Sequence, residues 1–179
     1  MNGHERTVLQ GLLDRQAITD VLNRYARACD RADEVLLRSC FHADSRHRHG
    51  GFDGSSADFC AFAMKIILGT RLEKHLITNV MIELDGDLAT TECHYLAYHR
   101  QPDAQTGADV DYFNGGRFID RFERRAGEWR IAERLGLIDY EAFHPVTERG
   151  VARLLPSQRS QRVPDDPLYS LMPSLRNRG

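Results

Sequence analysis

The stretch from Arg71 to Asp87, R-L-E-K-H-L-I-T-N-V-M-I-E-L-D-G-D, carries the residue best suited to proton transfer, His75. An imidazole has an unperturbed pKa of about 6.5, so it can take and return a proton near neutrality. The stretch alternates as a strand does. His75, Ile77, Asn79, Met81 and Glu83 point one way, and Leu76, Thr78, Val80, Ile82 and Leu84 the other. The second set is almost wholly apolar and needs a core. The first begins with an ionisable ring, which suits a curved sheet wrapped around a pocket. Taken alone, His75 is also compatible with a structural role. A second group, H-R-H at 47–49, places His47 and His49 on one strand face, with His42 close by. A metal there needs a third ligand, preferably a carboxylate such as Asp44 or Asp53. The simpler expectation is a polar strand, exposed or at a pocket rim, with no metal.

Composition bounds what those residues can serve. The 179 residues are 41% hydrophobic and 28% charged, as expected of one globular domain with a real core. A formal net charge of −2 gives no electrostatic case for nucleic acid or an anionic membrane. No apolar run approaches the roughly 20 residues of a membrane span, and the N-terminus lacks the apolar core of a signal peptide. Cytoplasmic location is therefore expected. Cys29, Cys40, Cys60 and Cys93 are scattered without a C-x-x-C pair, which favours buried free thiols.

The elements that must position His75 are readable in order. Residues 1–13 read as a frayed lead-in. From about Asp14, Ile18, Val21, Leu22, Tyr25 and Cys29 recur at helical spacing, and the helix should break near Asp30. A short helix fits Asp33 to Cys40 with Asp33 as its N-cap, and a short strand fits Ser45–His49. Ser55 to Asp58 reads as a capping box ahead of the stripe Phe59, Phe62, Ala63, Ile66 and Ile67, with Gly69 as the stop. Strands then fit Leu72–Leu84, Ala89–Arg100, Val110–Arg124 and Glu128–Ile138, joined through turns at Asp85-Gly86-Asp87 and Ala126-Gly127 and a polar loop at 102–109. Gly115-Gly116 in mid-strand suggests a bulge or sharp bend. Helices first and an antiparallel meander after imply an α+β fold, a bent sheet closed by the N-terminal helices. This domain spans 1–144. Residues 145–179 change character and form an extended arm, with one helical turn at Val151 to Leu155. The arm is either disordered or wraps a neighbouring subunit or lids the pocket through Leu168, Tyr169, Leu171 and Met172.

Four segments carry a family resemblance: A-I-T-D-V-L-N-R-Y-A-R-A-C-D at 17–30, H-L-I-T-N at 75–79, N-G-G-R-F-I-D-R-F-E-R at 114–124 and W-R-I-A-E-R-L-G at 129–136. Their order and spacing resemble the SnoaL-like branch of the nuclear-transport-factor-2-like superfamily over about residues 10–143. The resemblance is greatest to the group with scytalone dehydratase, lindane dehydrochlorinase and bile-acid 7α-dehydratase. It implies a cone-shaped antiparallel sheet around a deep apolar pocket, with a His–Asp pair as base. Transferred position by position, the histidine falls on His75, the aspartate on Asp30, a tyrosine five residues earlier on Tyr25, and the arginine of the last strand on Arg134. A second histidine and further tyrosines of scytalone dehydratase fall in the stretch holding His94, Tyr95, Tyr98 and His99. Asn79, Tyr95, Tyr98 and Asn114 are candidate substrate contacts. In a continuous helix Tyr25 and Asp30 would point about 140° apart, so both reach the pocket only if the helix breaks before Asp30.

A cofactor-independent lyase or isomerase is thus expected, using neither metal nor organic cofactor. Its substrate would be a small hydrophobic or aromatic hydroxylated molecule. His75 abstracts a proton, Asp30 orients the ring, Tyr25 assists as acid and Arg134 stabilises charge; the structural alternatives are a helix-end residue at Asp30, a core aromatic at Tyr25 and an ion pair of Arg134 with Glu133 or Asp120. Dehydration leads, and loss of formaldehyde from a hydroxymethyl phenolic is a variant. The alternative is a non-catalytic ligand-binding or subunit-contact module such as a ring-hydroxylating dioxygenase β subunit. A homodimer or homotrimer is expected in either case.

Overall fold

The apolar stripe of the first helix lies against the inner face of the sheet, and everything else is arranged around that contact. The computed structural model describes residues 1–147 and 154–172. Helix α1 spans Gly3–Arg31, α2 Glu34–Arg38 and α3 Ser56–Gly69. The strands are β1 (Phe41–His49), β2 (Phe52–Ser55), β3 (Leu72–Asp85), β4 (Leu88–Pro102), β5 (Asp109–Arg125) and β6 (Glu128–Pro145). They form one six-stranded sheet in the order β2-β1-β6-β5-β4-β3. The fold is α+β, with the helices packed on one face of the sheet.

Three local features differ from the sequence-based expectation. First, the N-terminus is not a frayed lead-in. Asn2 accepts from the Glu5 backbone N–H while the Glu5 side chain accepts from the Asn2 N–H. That reciprocal cap starts α1 at Gly3. The helix ends at Arg31, near Asp30 as the spacing puts it but just after that residue and not before it, where Ala32 turns left-handed, at φ 53°. Second, the sheet is mixed. β1 begins at Phe41 and pairs in parallel with β6, and β2 pairs antiparallel with β1 across Gly50-Gly51. A parallel partner more than 80 residues away leaves no local trace in sequence, which is why only 45–49 reads as strand.

Third, β3 does not keep one alternation. Thr78 pairs with His94 and Met81 with Glu92, so two residues of β3 face one of β4. Asn79 is at the centre of this bulge with φ 51°, a conformation asparagine tolerates better than most residues. The bulge exchanges the two faces. Before it, Glu73, His75 and Ile77 look inward. After it, Val80, Ile82 and Leu84 pack against the core beneath α1. A single strand thus supplies pocket residues at one end and helix-packing residues at the other. β5 slips register against β6 between Gly115 and Gly116, where a Cβ on Gly116 would stand 1.9 Å from the Leu137 carbonyl oxygen. Only glycine allows the two strands that approach.

The described part of the C-terminal segment docks behind the end of α1. The Val163 N–H donates to the Arg31 carbonyl at 2.9 Å. Asp166 bridges Arg27 (3.4 Å) and Arg31 (3.2 Å), and Tyr169 is buried with its hydroxyl on Asp33. Leu171, in the short helix α4 (Leu168–Leu171), is 80% exposed. None of these residues closes the pocket, and the helical turn expected at 151–155 falls largely outside the described residues.

Candidate active site

A cavity of about 250 Å³ opens between the inner face of the sheet and helices α1 and α3. Its walls are mostly apolar. Tyr25 and Cys29 come from α1, Phe59, Ala63 and Ile67 from α3, and Ala97 and Phe118 from β4 and β5, with Phe62, Ile66 and Ile138 at the exposed mouth. Set into these walls are Glu73 and His75 from β3, Tyr95 and His99 from β4, Tyr112 and Asn114 from β5, and His49 from β1.

His75 and Asp30 meet. Asp30 Oδ1 lies 2.9 Å from His75 Nδ1 and also accepts the His75 backbone N–H at 2.8 Å. A carboxylate can only accept, so the ring proton sits on Nδ1 and the Nε2 lone pair is free. Lys74, beside it on the strand and half exposed, places its ammonium 3.5 Å from the other carboxylate oxygen. Asp30 reaches His75 from the last turn of an unbroken helix, and it does not line the cavity. The 140° separation from Tyr25 is accommodated because Tyr25 points into the cavity while Asp30 points past its edge to β3.

Tyr25 lines the cavity, fully buried between Phe41 and Phe118 in edge-to-face contacts. Burial drives its phenol well above the ordinary tyrosine range, with the Cys29 thiol adding to the shift and Arg134 opposing it. The phenol therefore stays protonated at neutral pH. Arg134 does not reach the cavity. It is 1% exposed and forms a two-pronged pair with Asp120, both contacts at 2.7 Å, directly across the β5–β6 register. Its guanidinium lies 4.2 Å from the Tyr25 ring and 4.1 Å from that of Phe118. The expected charge stabiliser is a charged floor beneath the pocket aromatics, able to act on a bound molecule only through Tyr25 or through space.

The substrate-contact candidates divide. Tyr95 and Asn114 line the cavity. Asn79 is exposed at the bulge, and Tyr98 faces the other side of the sheet, donating to Asp111 at 2.9 Å. The parity of β4 decides this: Cys93, Tyr95, Ala97 and His99 point inward, whereas His94, Leu96 and Tyr98 do not.

Glu73, His49 and Tyr112 line the cavity without being among the residues read as catalytic or substrate-binding. His49 stands 3.3 Å from the Tyr95 hydroxyl, in space that Gly136 leaves open, since a Cβ there would fall 2.5 Å from the His49 ring. Burial, with Arg134 and His75 as lesser causes, lowers its pKa to about 4, so its ring is neutral. His47, one alternation earlier, is buried and stacked on Phe59 at 3.4 Å. Among the described residues no cluster could hold a metal ion. His99 and Glu73 face each other across the β3–β4 register. Glu73 had a visible signal: it sits two residues before His75 on the same strand face.

The SnoaL-like domain model matches residues 10–135, the greater part of the chain. The chain belongs to the SnoaL-like family. No curated protein sequence matches it. Among solved structures, a putative scytalone dehydratase from Novosphingobium aromaticivorans superposes with a TM-score of 0.65 at 19% identity, covering 78% of this chain and 97% of that one. The hexachlorocyclohexane dehydrochlorinase LinA-type3 from Novosphingobium barchaimii gives 0.67 at 18% identity, covering 83% and 98%. A protein of unknown function from Mycobacterium tuberculosis gives 0.61 at 21% identity, covering 96% and 91%. At these identities the likeness is one of fold, and SnoaL-like members with that fold include lyases and proteins without an assigned function.

Proposed function

We propose that this protein is a cofactor-independent lyase that removes the elements of water, or a similar small leaving group, from a small hydrophobic or aromatic hydroxylated molecule. The observation that carries the reading is the His75–Asp30 pair at the wall of an apolar cavity. In such a setting the carboxylate fixes the ring tautomer and stabilises the imidazolium that forms, as an orienting acid does in hydrolases. His75 Nε2 takes a proton from a carbon next to the leaving group. The C–H electron pair becomes the new double bond, and the carbon–oxygen bond breaks. Tyr25, held neutral, donates a hydrogen bond to a carbonyl or enolate-like oxygen of the substrate, and Arg134 beneath its ring favours negative charge there. Isomerisation needs the same base and remains within this chemistry.

The cavity's polar groups are few and convergent, as small-molecule sites are. A subunit-contact module would have no use for a buried imidazole–carboxylate pair facing a cavity, which weighs against the non-catalytic alternative. The test is a thermal-shift screen of hydroxylated aromatics and steroids, followed by turnover of the hits. His75→Ala is expected to abolish turnover while leaving binding within a few-fold. Equal turnover by the wild type and His75→Ala would rule out the proposed base.

A further inference from the structure

His75 and Asp30 both sit where their elements are least restrained. Asp30 is in the last turn of α1, where the closing carbonyls have no acceptor role left within the helix. His75 is near the start of β3, an edge strand of the sheet that pairs on one side only, with β4. Helix ends and edge strands are the parts of a fold that open most readily. Yet the carboxylate stands 2.9 Å from the ring nitrogen, and proton transfer by an oriented imidazole depends on that geometry.

The C-terminal segment ties these two places together. The Val163 N–H donates to the Arg31 carbonyl at 2.9 Å, satisfying an orphan acceptor one residue beyond Asp30. Its neighbour Arg162 faces the other element, where Nη2 donates to the Thr70 carbonyl at 3.2 Å and to Thr70 Oγ1 at 2.8 Å. Thr70 closes α3 and leads into β3, just ahead of His75. Two adjacent residues thus hold the helix end that carries Asp30 and the lead-in to the strand that carries His75. The segment is anchored further along. Asp166, 8% exposed, bridges Arg27 and Arg31 and accepts from the Leu168 N–H at 2.8 Å. The buried Tyr169 ring lies under the Arg27 guanidinium, 5.4 Å from its centroid. A tail that merely trailed the domain would bury neither residue. None of residues 161–169 lines the catalytic cavity. Any effect of this segment on the site therefore passes through α1 and β3, and not through contact with a bound molecule.

We propose that residues 161–169 are a brace that sets the spacing of Asp30 and His75, with Arg162 and Asp166 as its positioning residues. The proposal rests on the reading of His75 as the base and adds what keeps that base in working geometry. Release of the brace leaves the apolar walls of the cavity in place. Binding then persists, while the carboxylate–imidazole contact loosens and proton transfer slows.

The first readout needs no substrate. The His75 Nδ1 proton, held by Asp30, gives a downfield resonance in proton NMR spectra, assigned by its absence in His75→Ala. Arg162→Ala and Asp166→Asn are each expected to speed its exchange with water by about 10-fold. The second readout is turnover of the aldol of acetophenone with acetaldehyde, which loses water to an aryl enone followed by ultraviolet absorbance. The same variants should lower kcat by about 10-fold and move KM by less than about twofold. Arg162→Lys should restore both readouts, because a single nitrogen of Arg162 makes both contacts to Thr70 and an ammonium can replace it. Leu171→Ala, at an exposed position of the same segment, should change neither. Variants with native circular dichroism and a lowered melting temperature, but unchanged exchange and kcat, would show a purely structural segment and overturn the proposal. A wild type that shows the resonance yet does not dehydrate the aldol overturns dehydration as the reaction and leaves the brace standing.

Discussion

A single carboxylate oxygen of Asp30 takes two hydrogen bonds from His75, one from the backbone N–H at 2.8 Å and one from the ring at 2.9 Å. The aspartate thus fixes both the position of β3 against α1 and the orientation of the imidazole on it. Asp30→Asn is expected to lower kcat by about 10²- to 10⁴-fold, since an amide cannot stabilise the imidazolium and can present a donor to Nδ1, reversing the tautomer. The measurement is kcat and KM on the screened substrate. A change confined to KM would place Asp30 in binding and not in proton transfer.

Arg134 and Asp120 are expected to behave as a structural unit. Arg134→Met leaves Asp120 buried and unpaired and should cost about 3–5 kcal/mol in urea unfolding. Adding Asp120→Leu should recover most of that loss. If the double variant is no more stable than the single one, the cost lies in the packing of the guanidinium against Tyr25 and Phe118.

Stability should fall in mild acid because of His47. Burial, then the charges of Arg134 and His49, lower its pKa to about 2, so the folded state keeps the ring neutral where the unfolded chain protonates it. Below about pH 6.5 the unfolded state binds the extra proton, and stability drops by about 1.4 kcal/mol per pH unit as pH falls towards 2. His49, lowered to about 4, adds the same slope down to that pH. His47→Phe should flatten the dependence of the melting temperature between pH 5 and 7. An equally steep profile in that variant would assign the acid sensitivity to other groups.

Leu76 and Leu96 pair across β3 and β4 on the face turned away from the helices, and both are exposed, with Phe113 near them on β5. A homodimer or homotrimer through this face is expected by light scattering. Leu96→Lys should shift the protein towards monomer without changing its circular dichroism. A monomeric wild type at micromolar concentration would rule out the assembly.

How much of this was legible in sequence depended on how local the cause was. The stripe of α1 and the cap at Ser55 are set by residues within a turn or two, and both are where the spacing puts them. The inward face of β3 was right at His75 and wrong beyond Asn79, because the bulge is fixed by pairing with β4 and not by β3 itself. For Arg134 both a site role and an ion pair with Glu133 or Asp120 were open in sequence, and the β5–β6 register selects Asp120. The pairing of Glu73 with His99 needed that same kind of cross-strand information.

The bulge at Asn79 also divides the chain for anyone wishing to alter what it accepts. On β3 and β4, odd-numbered positions before the bulge and opposite it (73, 75, 95, 97 and 99) line the cavity, while their even-numbered neighbours face the outside of the sheet. On these two strands a substrate-scope library therefore needs only codons on one side of that parity, the rest of the wall coming from α1, α3, β1, β5 and β6. Diversity placed one residue away would be spent on solubility and assembly.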